Sequence, residues 1–184
     1  MLDVRQLGLD GLCEIRPPRY GDDRGFFSEV WNAETWRDAG IALEFVQDNH
    51  SFSVARGVLR GLHFQSPPFA QAKLVRVTRG RIFDVAVDLR RDSPTYRKWA
   101  SIILSAEEWN QLLVPVGFAH GFLTLEENCE VQYKVTAPYS RAHDRAIRFD
   151  DPALGIEWPL PRTALQLSDK DAQAPCLAEA ETGF

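Results

Sequence analysis

Within residues 57–120 the chain carries four side chains whose types and spacing bear on chemistry: His63, Gln65, Lys73 and His120. Gly57 is followed by five residues and then by His63-Phe64-Gln65, and the run Pro115-Val116-Gly117-Phe118-Ala119-His120 ends on the second imidazole. Two imidazoles, an amide and an ammonium make a poor site for a divalent cation, which is held by neutral or deprotonated lone-pair donors and repelled by Lys⁺. No metal is expected here. Set in one interior, two His and one Lys suit proton transfer next to a carbonyl instead.

Strands are the elements that must position these groups. Short apolar runs recur between turn residues at intervals of about 8 to 15 residues, the rhythm of a sandwich or barrel, so the fold class is all-β. Lys73-Leu74-Val75-Arg76-Val77 and Arg81-Ile82-Phe83-Asp84-Val85-Ala86-Val87-Asp88 alternate around Thr78-Arg79-Gly80 and read as a hairpin. Asp84 shares a face with Ile82 and Ala86, opposite Phe83, Val85 and Val87, and either face could be the inner one. Ile102-Ile103-Leu104, Gln111-Leu112-Leu113-Val114, Gly121-Phe122-Leu123-Thr124-Leu125 and Val131-Gln132-Tyr133-Lys134-Val135 continue the series. Helix is confined to short peripheral pieces: residues 32–40, with Asn32 as N-cap and Gly40 as stop, and Ser105-Ala106-Glu107-Glu108, which has capping-box form. From Asp150 onward, Pro152, Pro159, Pro161 and Pro175 with Trp158 predict irregular chain laid across the barrel, the last few residues free.

A chain of 184 residues, 45% hydrophobic and 26% charged, is expected to form a single domain over residues 1–184. Its net charge of -5 argues against nucleic acid or an anionic membrane as the main partner, since both demand a basic face. Cys13, Cys129 and Cys176 are odd in number and widely separated, with no C-x-x-C pair, so neither a disulfide framework nor a thiol-metal site is suggested. Met1-Leu2-Asp3-Val4-Arg5 lacks a signal pattern, and no stretch approaches the roughly 18 apolar residues of a membrane span. A cytoplasmic protein is expected.

Gly57-Val58-Leu59-Arg60-Gly61-Leu62-His63-Phe64-Gln65 resembles the first cupin motif, a Gly, five residues and His-x-His. Gln65 stands where the second His belongs, and Lys73 where the metal-binding Glu usually lies. A longer ordered series resembles the dTDP-4-dehydrorhamnose 3,5-epimerase family over nearly the whole chain: Gln47-Asp48-Asn49-His50-Ser51, Arg56-Gly57-Val58-Leu59-Arg60-Gly61-Leu62-His63, Lys73-Leu74-Val75-Arg76-Val77, Asp84-Val85-Ala86-Val87-Asp88, Ser93-Pro94-Thr95, residues 115–122, Tyr133-Lys134 and Leu167-Ser168-Asp169-Lys170-Asp171. The resemblance implies a cupin-like jelly-roll barrel that works on a dTDP-sugar without metal or organic cofactor, as a homodimer that exchanges N-terminal strands.

In the implied substrate, dTDP-4-dehydro-6-deoxy-D-glucose, the C4 ketone acidifies the hydrogens at C3 and C5, and losing either gives an enolate with its charge on O4. By resemblance His63 is the base, since an imidazole with a pKa of roughly 6.5 accepts a proton at neutral pH. Asp171 orients it, with Asp169 as the competing register. Lys73 meets the charge on O4, His120 lies beside it with Asp84 as partner, and Tyr133 delivers the new proton. Arg60 and Lys170 match residues that meet the diphosphate. Arg24, Glu29, Gln47 and Asn49 match those that read the thymidine, the first two across the dimer, and Tyr139 one near nucleotide and sugar.

Without the resemblance each residue has a plainer reading: a backbone-bonded His, a solvent-facing Lys, a Tyr packed on a sheet, a solvated Asp. Phe64 where a Tyr is frequent and Arg97 where a Gly is usual are departures that remove no reacting group. A C3-only or C5-only epimerase would use the same base and acid. A sugar-nucleotide 3,4-ketoisomerase on this barrel would not be expected to combine Arg60-x-x-His63 with Tyr133, and a non-catalytic sugar-binding cupin has no reason to keep His63, Lys73 and Tyr133 together.

Overall fold

The computed structural model describes residues 2–184. In chain order the strands are β1 (Asp3–Gln6), β2 (Cys13–Arg16), β3 (Tyr20–Asp22), β4 (Gly25–Phe27), β5 (Gln47–Ser53), β6 (Leu59–Gln65), β7 (Lys73–Arg79), β8 (Arg81–Asp88), β9 (Trp99–Ser105), β10 (Gln111–Val114), β11 (Phe118–Thr124), β12 (Cys129–Val135) and β13 (Asp144–Ala146). The helices are α1 (Ala33–Asp38) and α2 (Asp169–Ala172). Six strands in the order β1-β2-β10-β7-β12-β5 form one antiparallel sheet, five in the order β13-β6-β11-β8-β9 form the other, and among the described residues β3 pairs only with β4. The two sheets close into the cupin-like jelly roll.

Alternation decides what fills the space between them. Val75 and Val77 of β7, Leu112 of β10 and Val131 of β12 meet Ile82 and Ala86 of β8, Leu104 of β9 and Phe122 of β11 in one buried cluster. The face of β8 that carries Asp84 is therefore the inner one. Its reverse face is covered too: Val85 and Val87 pack with Ile147 and with Leu154 and Leu177 of the tail, and Phe83 stands edge-on to Trp158 at 5.8 Å. The Pro-rich tail lies across the barrel as expected, but its end is not free. Thr182 is buried and Phe184 packs beside Phe64 at 6.2 Å, because the outer face of β6 is apolar and needs a cover.

On the other sheet, the outer side chains of Cys13, Ile15, Leu74 and Leu113 are closed off by Trp36 of α1. That six-residue helix is far shorter than an isolated helix needs to be, so the cap from Asn32 to the amides of Glu34 and Thr35 and the burial of Trp36 (1% exposed) hold it.

Two expectations fail for tertiary reasons. β7 and β8 do not pair with each other, since β7 lies between β10 and β12 while β8 lies between β11 and β9. Only Gly80 separates them, too little for the two-residue loop of a tight hairpin, and with φ of 79° it turns the chain from one sheet to the other. At residues 105–108 the capping signal makes a turn, not a helix. Ser105 Oγ accepts from the Glu108 amide at 3.0 Å, but Trp109 takes φ of 57° and sends the chain into β10. Arg97, where a Gly is usual, also has a positive φ of 65°, the conformation that Gly adopts without strain.

The pairing of β6 with β11 is irregular at one point. His63 faces His120, yet Arg60 faces Phe122, so β6 has one residue more than β11 in this interval: a β-bulge. It is centred on Gly61, whose φ is 142° and whose missing Cβ would lie 2.5 Å from the Cα of Gly121. Gly61→Ala should lower the free energy of unfolding by at least about 2 kcal/mol, read as a fall in the denaturant midpoint at unchanged slope. A midpoint equal to wild type would show that the two strands can part at no cost.

Candidate active site

The sheets part at one end of the barrel into a cleft of about 510 Å³ lined by Arg60, His63, Lys73, His120, Tyr133 and Asp171 among others. It shares His63, Lys73 and Tyr133 with a second chamber of about 380 Å³, which Gln47, Asn49, Tyr139 and Lys170 also line. His63 and His120 come from β6 and β11 of the five-stranded sheet, directly opposite each other. Tyr133 of β12 faces Val75 of β7 and Asn49 of β5 in the six-stranded sheet, which puts Lys73 diagonally beside it on the same face. The two imidazoles thus look across the cleft at a phenol and an ammonium.

His63 Nε2 lies 2.5 Å from Asp171 Oδ1. Asp171 is buried, whereas Asp169 is exposed, which settles the register left open by sequence. One turn of helix, α2, delivers it: Ser168 caps the turn through the Asp171 amide at 3.2 Å and donates its hydroxyl to Asp171 Oδ2 at 2.9 Å. Burial pushes this carboxyl up, but the bond and charge of His63, with Ser168 and Lys170, outweigh it and hold the pKa below the usual carboxylate range. An ionised carboxylate only accepts, so Nε2 carries a hydrogen, and it is in the neutral form of the ring that Nδ1 has the lone pair. Sequence reasoning passed over Ser168, although Ser168-x-x-Asp171 has the form of a helix cap.

His120 Nε2 is 2.8 Å from Asp84 Oδ1, and Asp84 Oδ2, fully buried, has no hydrogen-bond partner among the described residues. Lys73 donates to the carbonyl of His63 at 3.3 Å. Burial pushes its ammonium down to about 8, against the opposing pull of Asp84 and Asp144. Burial likewise raises the Tyr133 phenol above its ordinary value, with Arg60 opposing and Asp144 adding to the rise. Gln65 is no metal ligand in this arrangement. Its amide nitrogen donates to the carbonyls of Phe69 and Pro138, at 2.7 and 3.1 Å, and its oxygen accepts from the Ser140 amide at 2.6 Å. With that amide engaged and Lys73 cationic, the donor set does not fit a metal ion.

Most of the expected substrate contacts gather here. Arg60 is turned to the cleft by the bulge and tethered to Ser53 Oγ and the Phe52 carbonyl. Gln47 donates to Asn49 at 2.8 Å, while Lys170 and Tyr139 both bond Asp144, a residue that sequence reasoning missed and for which no local signal existed. Arg24 and Glu29 are elsewhere. Arg24 sits in the exposed turn of β3–β4 against Asp22, and Glu29 accepts from Asn32 and Thr35.

A cupin barrel with a carboxylate-backed imidazole on one wall of its cleft and a phenol and an ammonium on the other has the groups that a proton-transferring isomerase uses. The dTDP-4-dehydrorhamnose 3,5-epimerase family model matches residues 6–179, and the chain belongs to that family. It is 55% identical over 170 residues to the dTDP-4-dehydrorhamnose 3,5-epimerase of Sinorhizobium fredii, covering 92% of this chain and 87% of that one. The crystal structure of the Bacillus anthracis enzyme with TDP and PPi bound superposes with a TM-score of 0.93 at 46% identity, over 96% of this chain and 99% of the other. The Legionella pneumophila enzyme in complex with dTDP-4-keto-L-rhamnose gives a TM-score of 0.93 at 44% identity, over 98% and 95%.

The half-buried ammonium implies a stability cost with a definite sign. Lys73 releases its proton near pH 8 when folded and near its ordinary 10.5 when unfolded, so the penalty is full below about pH 8 and fades as pH rises to about 10.5. Lys73→Met should therefore melt at a higher temperature than wild type at pH 7, with the gap closing by pH 10 to 11. A variant that melts below wild type at pH 7 would show the ammonium to be net stabilising.

Proposed function

We propose that the chain, acting as one jelly-roll domain over residues 1–184, converts dTDP-4-dehydro-6-deoxy-D-glucose to dTDP-4-dehydro-L-rhamnose. It does so by removing and returning the protons at C3 and C5. The observation that carries this reading is the placement of His63 and Tyr133 on opposing sheets, so that a sugar ring between them meets a base on one face and an acid on the other. The ligand of the Legionella relative, dTDP-4-keto-L-rhamnose, supports the same choice of substrate class.

Nδ1 of His63 takes the proton, and Asp171 steadies the imidazolium that forms. The charge that moves to O4 meets the Lys73 ammonium, a fixed cation worth about 3 kcal/mol in a dry site, with His120 beside it on its Asp84 carboxylate. Tyr133 then protonates the carbon from the far side. Its raised pKa suits this task, because an enolate carbon is basic enough to take a proton that a carboxylate would not. Arg60 and Lys170 hold the diphosphate, Gln47 and Asn49 the thymidine, and Tyr139 flanks nucleotide and sugar.

Arg24 and Glu29 complete the nucleotide site of a second copy in a homodimer. In support, the β3–β4 hairpin that carries Arg24 pairs with no other strand among the described residues and exposes Tyr20 and Phe27, at 62% and 70%. Such aromatic exposure on a projecting element fits an arm that docks elsewhere. A cytoplasmic enzyme with neither nucleic acid nor membrane as partner fits the acidic composition, and no described helix is long and apolar enough to cross a membrane.

Acid and base are separable. His63→Ala should lower turnover by about 10²–10⁴-fold or more and stop exchange of the C3 and C5 hydrogens with heavy water. Tyr133→Phe keeps the ring and the base, so exchange should continue while inverted product becomes scarce. Normal inversion by Tyr133→Phe would move the acid to another residue.

Metal dependence gives a second check. Dialysis against a chelator should leave the rate unchanged, and a large loss restored by one divalent ion would sink the proton-transfer mechanism.

A further inference from the structure

Residues 137–140 leave β12 as irregular chain, with no strand to satisfy their backbone groups. Three glutamines from three separate segments meet them instead. Gln71 Nε2 donates to the Ala137 carbonyl at 2.6 Å, and Gln65 Nε2 to that of Pro138 at 3.1 Å. Gln47 Oε1 accepts from the Tyr139 amide at 3.0 Å, and Gln65 Oε1 from the Ser140 amide at 2.6 Å. Gln47 belongs to the six-stranded sheet and Gln65 to the five-stranded one, so the clamp spans the mouth of the barrel where the sheets part. Gln65 is 5% exposed, and its amide nitrogen also holds Phe69 on the neighbouring loop.

The residue at the centre of these bonds, Tyr139, is 59% exposed and lines the chamber beside Gln47, Asn49 and Lys170. An exposed ring on an irregular loop would ordinarily sample many positions, and ordering it on binding costs free energy. Here its backbone is bonded at its own amide and at the residues on both sides. We propose that Gln65 and Gln71, which line the same chamber and bond the backbone of the loop, are positioning residues that hold Tyr139 in place as a wall of the nucleotide-sugar cleft before the ligand arrives. Gln65 occupies the cupin position of a metal-binding imidazole, so in this chain a ligand site has become a loop anchor. The inference rests on the epimerase reading of the cleft.

Two measurements test it, one of them independent of any ligand. By hydrogen exchange, the peptide covering residues 136–143 should be slow in the wild-type protein and clearly faster in Gln65→Leu, with the rest of the barrel unchanged. By calorimetric titration with dTDP, Gln65→Leu and Tyr139→Ala should each weaken binding about tenfold, and the double variant should bind no more weakly than Tyr139→Ala alone. Should Gln65→Leu not fold, Gln71→Met removes a single bond of the clamp, and about a threefold loss that vanishes in the Tyr139→Ala background would carry the same conclusion. Losses that multiply in the double variant overturn the proposal, as does faster exchange with dTDP affinity unchanged. Wild-type protein that shows slow loop exchange but no affinity for dTDP would fail the epimerase reading, and the positioning role with it, while leaving the clamp itself standing.

Discussion

The site depends on the close approach of two backbones that have no side chain between them. Gly61 on β6 and Gly121 on β11 come so near that a Cβ on Gly61 would lie 2.5 Å from the Cα opposite, and one on Gly121 would meet the carbonyl of Arg60 at 2.8 Å. That contact accommodates the extra residue of the bulge. A regular strand would send Arg60 and His63, three residues apart, to opposite faces. With the bulge between them both line the cleft, so a guanidinium and an imidazole share one face of one strand. The bulge is braced from the other side as well, since Leu62, fully buried, exchanges both backbone hydrogen bonds with Ile147.

Around that strand the electrostatics are divided between the walls. Each imidazole of the five-stranded wall is backed by a carboxylate buried behind it, Asp171 for His63 and Asp84 for His120. The facing wall carries an ammonium made more acidic by burial and a phenol made less acidic by it. Burial of the ammonium and the phenol does not favour the folded state. The apolar filling farther down the barrel and the tail over β8 supply the stability that lets these groups remain poorly solvated.

The tail has a second task. It crosses β8 and then forms the single turn α2, which brings Asp171 to His63 from 108 residues away. The same region ends with Phe184 against Phe64, the next residue after His63, so one face of β6 is held by the tail while the other lines the cleft. From Leu62 to Gln65, past the bulge, cleft-facing and tail-covered side chains therefore alternate at the period of two that a β-strand imposes.

Much of this was legible in the sequence, because alternation, capping and residue type are properties of neighbours along the chain. The strands of Arg81–Asp88 and Gln111–Val114, the Asn32 cap of α1, and the poor metal-binding character of His63, Gln65, Lys73 and His120 needed no tertiary information. What sequence could not decide was every choice that hangs on a partner far along the chain. Alternation in β8 does not say which face is inner when a tail covers the outer one. A glycine between two alternating runs does not say whether they pair or part to different sheets. Ser105 offers the same cap whether or not Trp109 turns the chain out of the helix. Asp169 and Asp171 are alike in type and differ only in which one the turn of α2 aims at His63. Gln65 is an amide in a ligand position until the loop at Pro138 closes over it. Local pattern sets what each segment can be, but burial and hydrogen-bond partnership are shared between distant segments, and only the closed barrel brings both partners into reach.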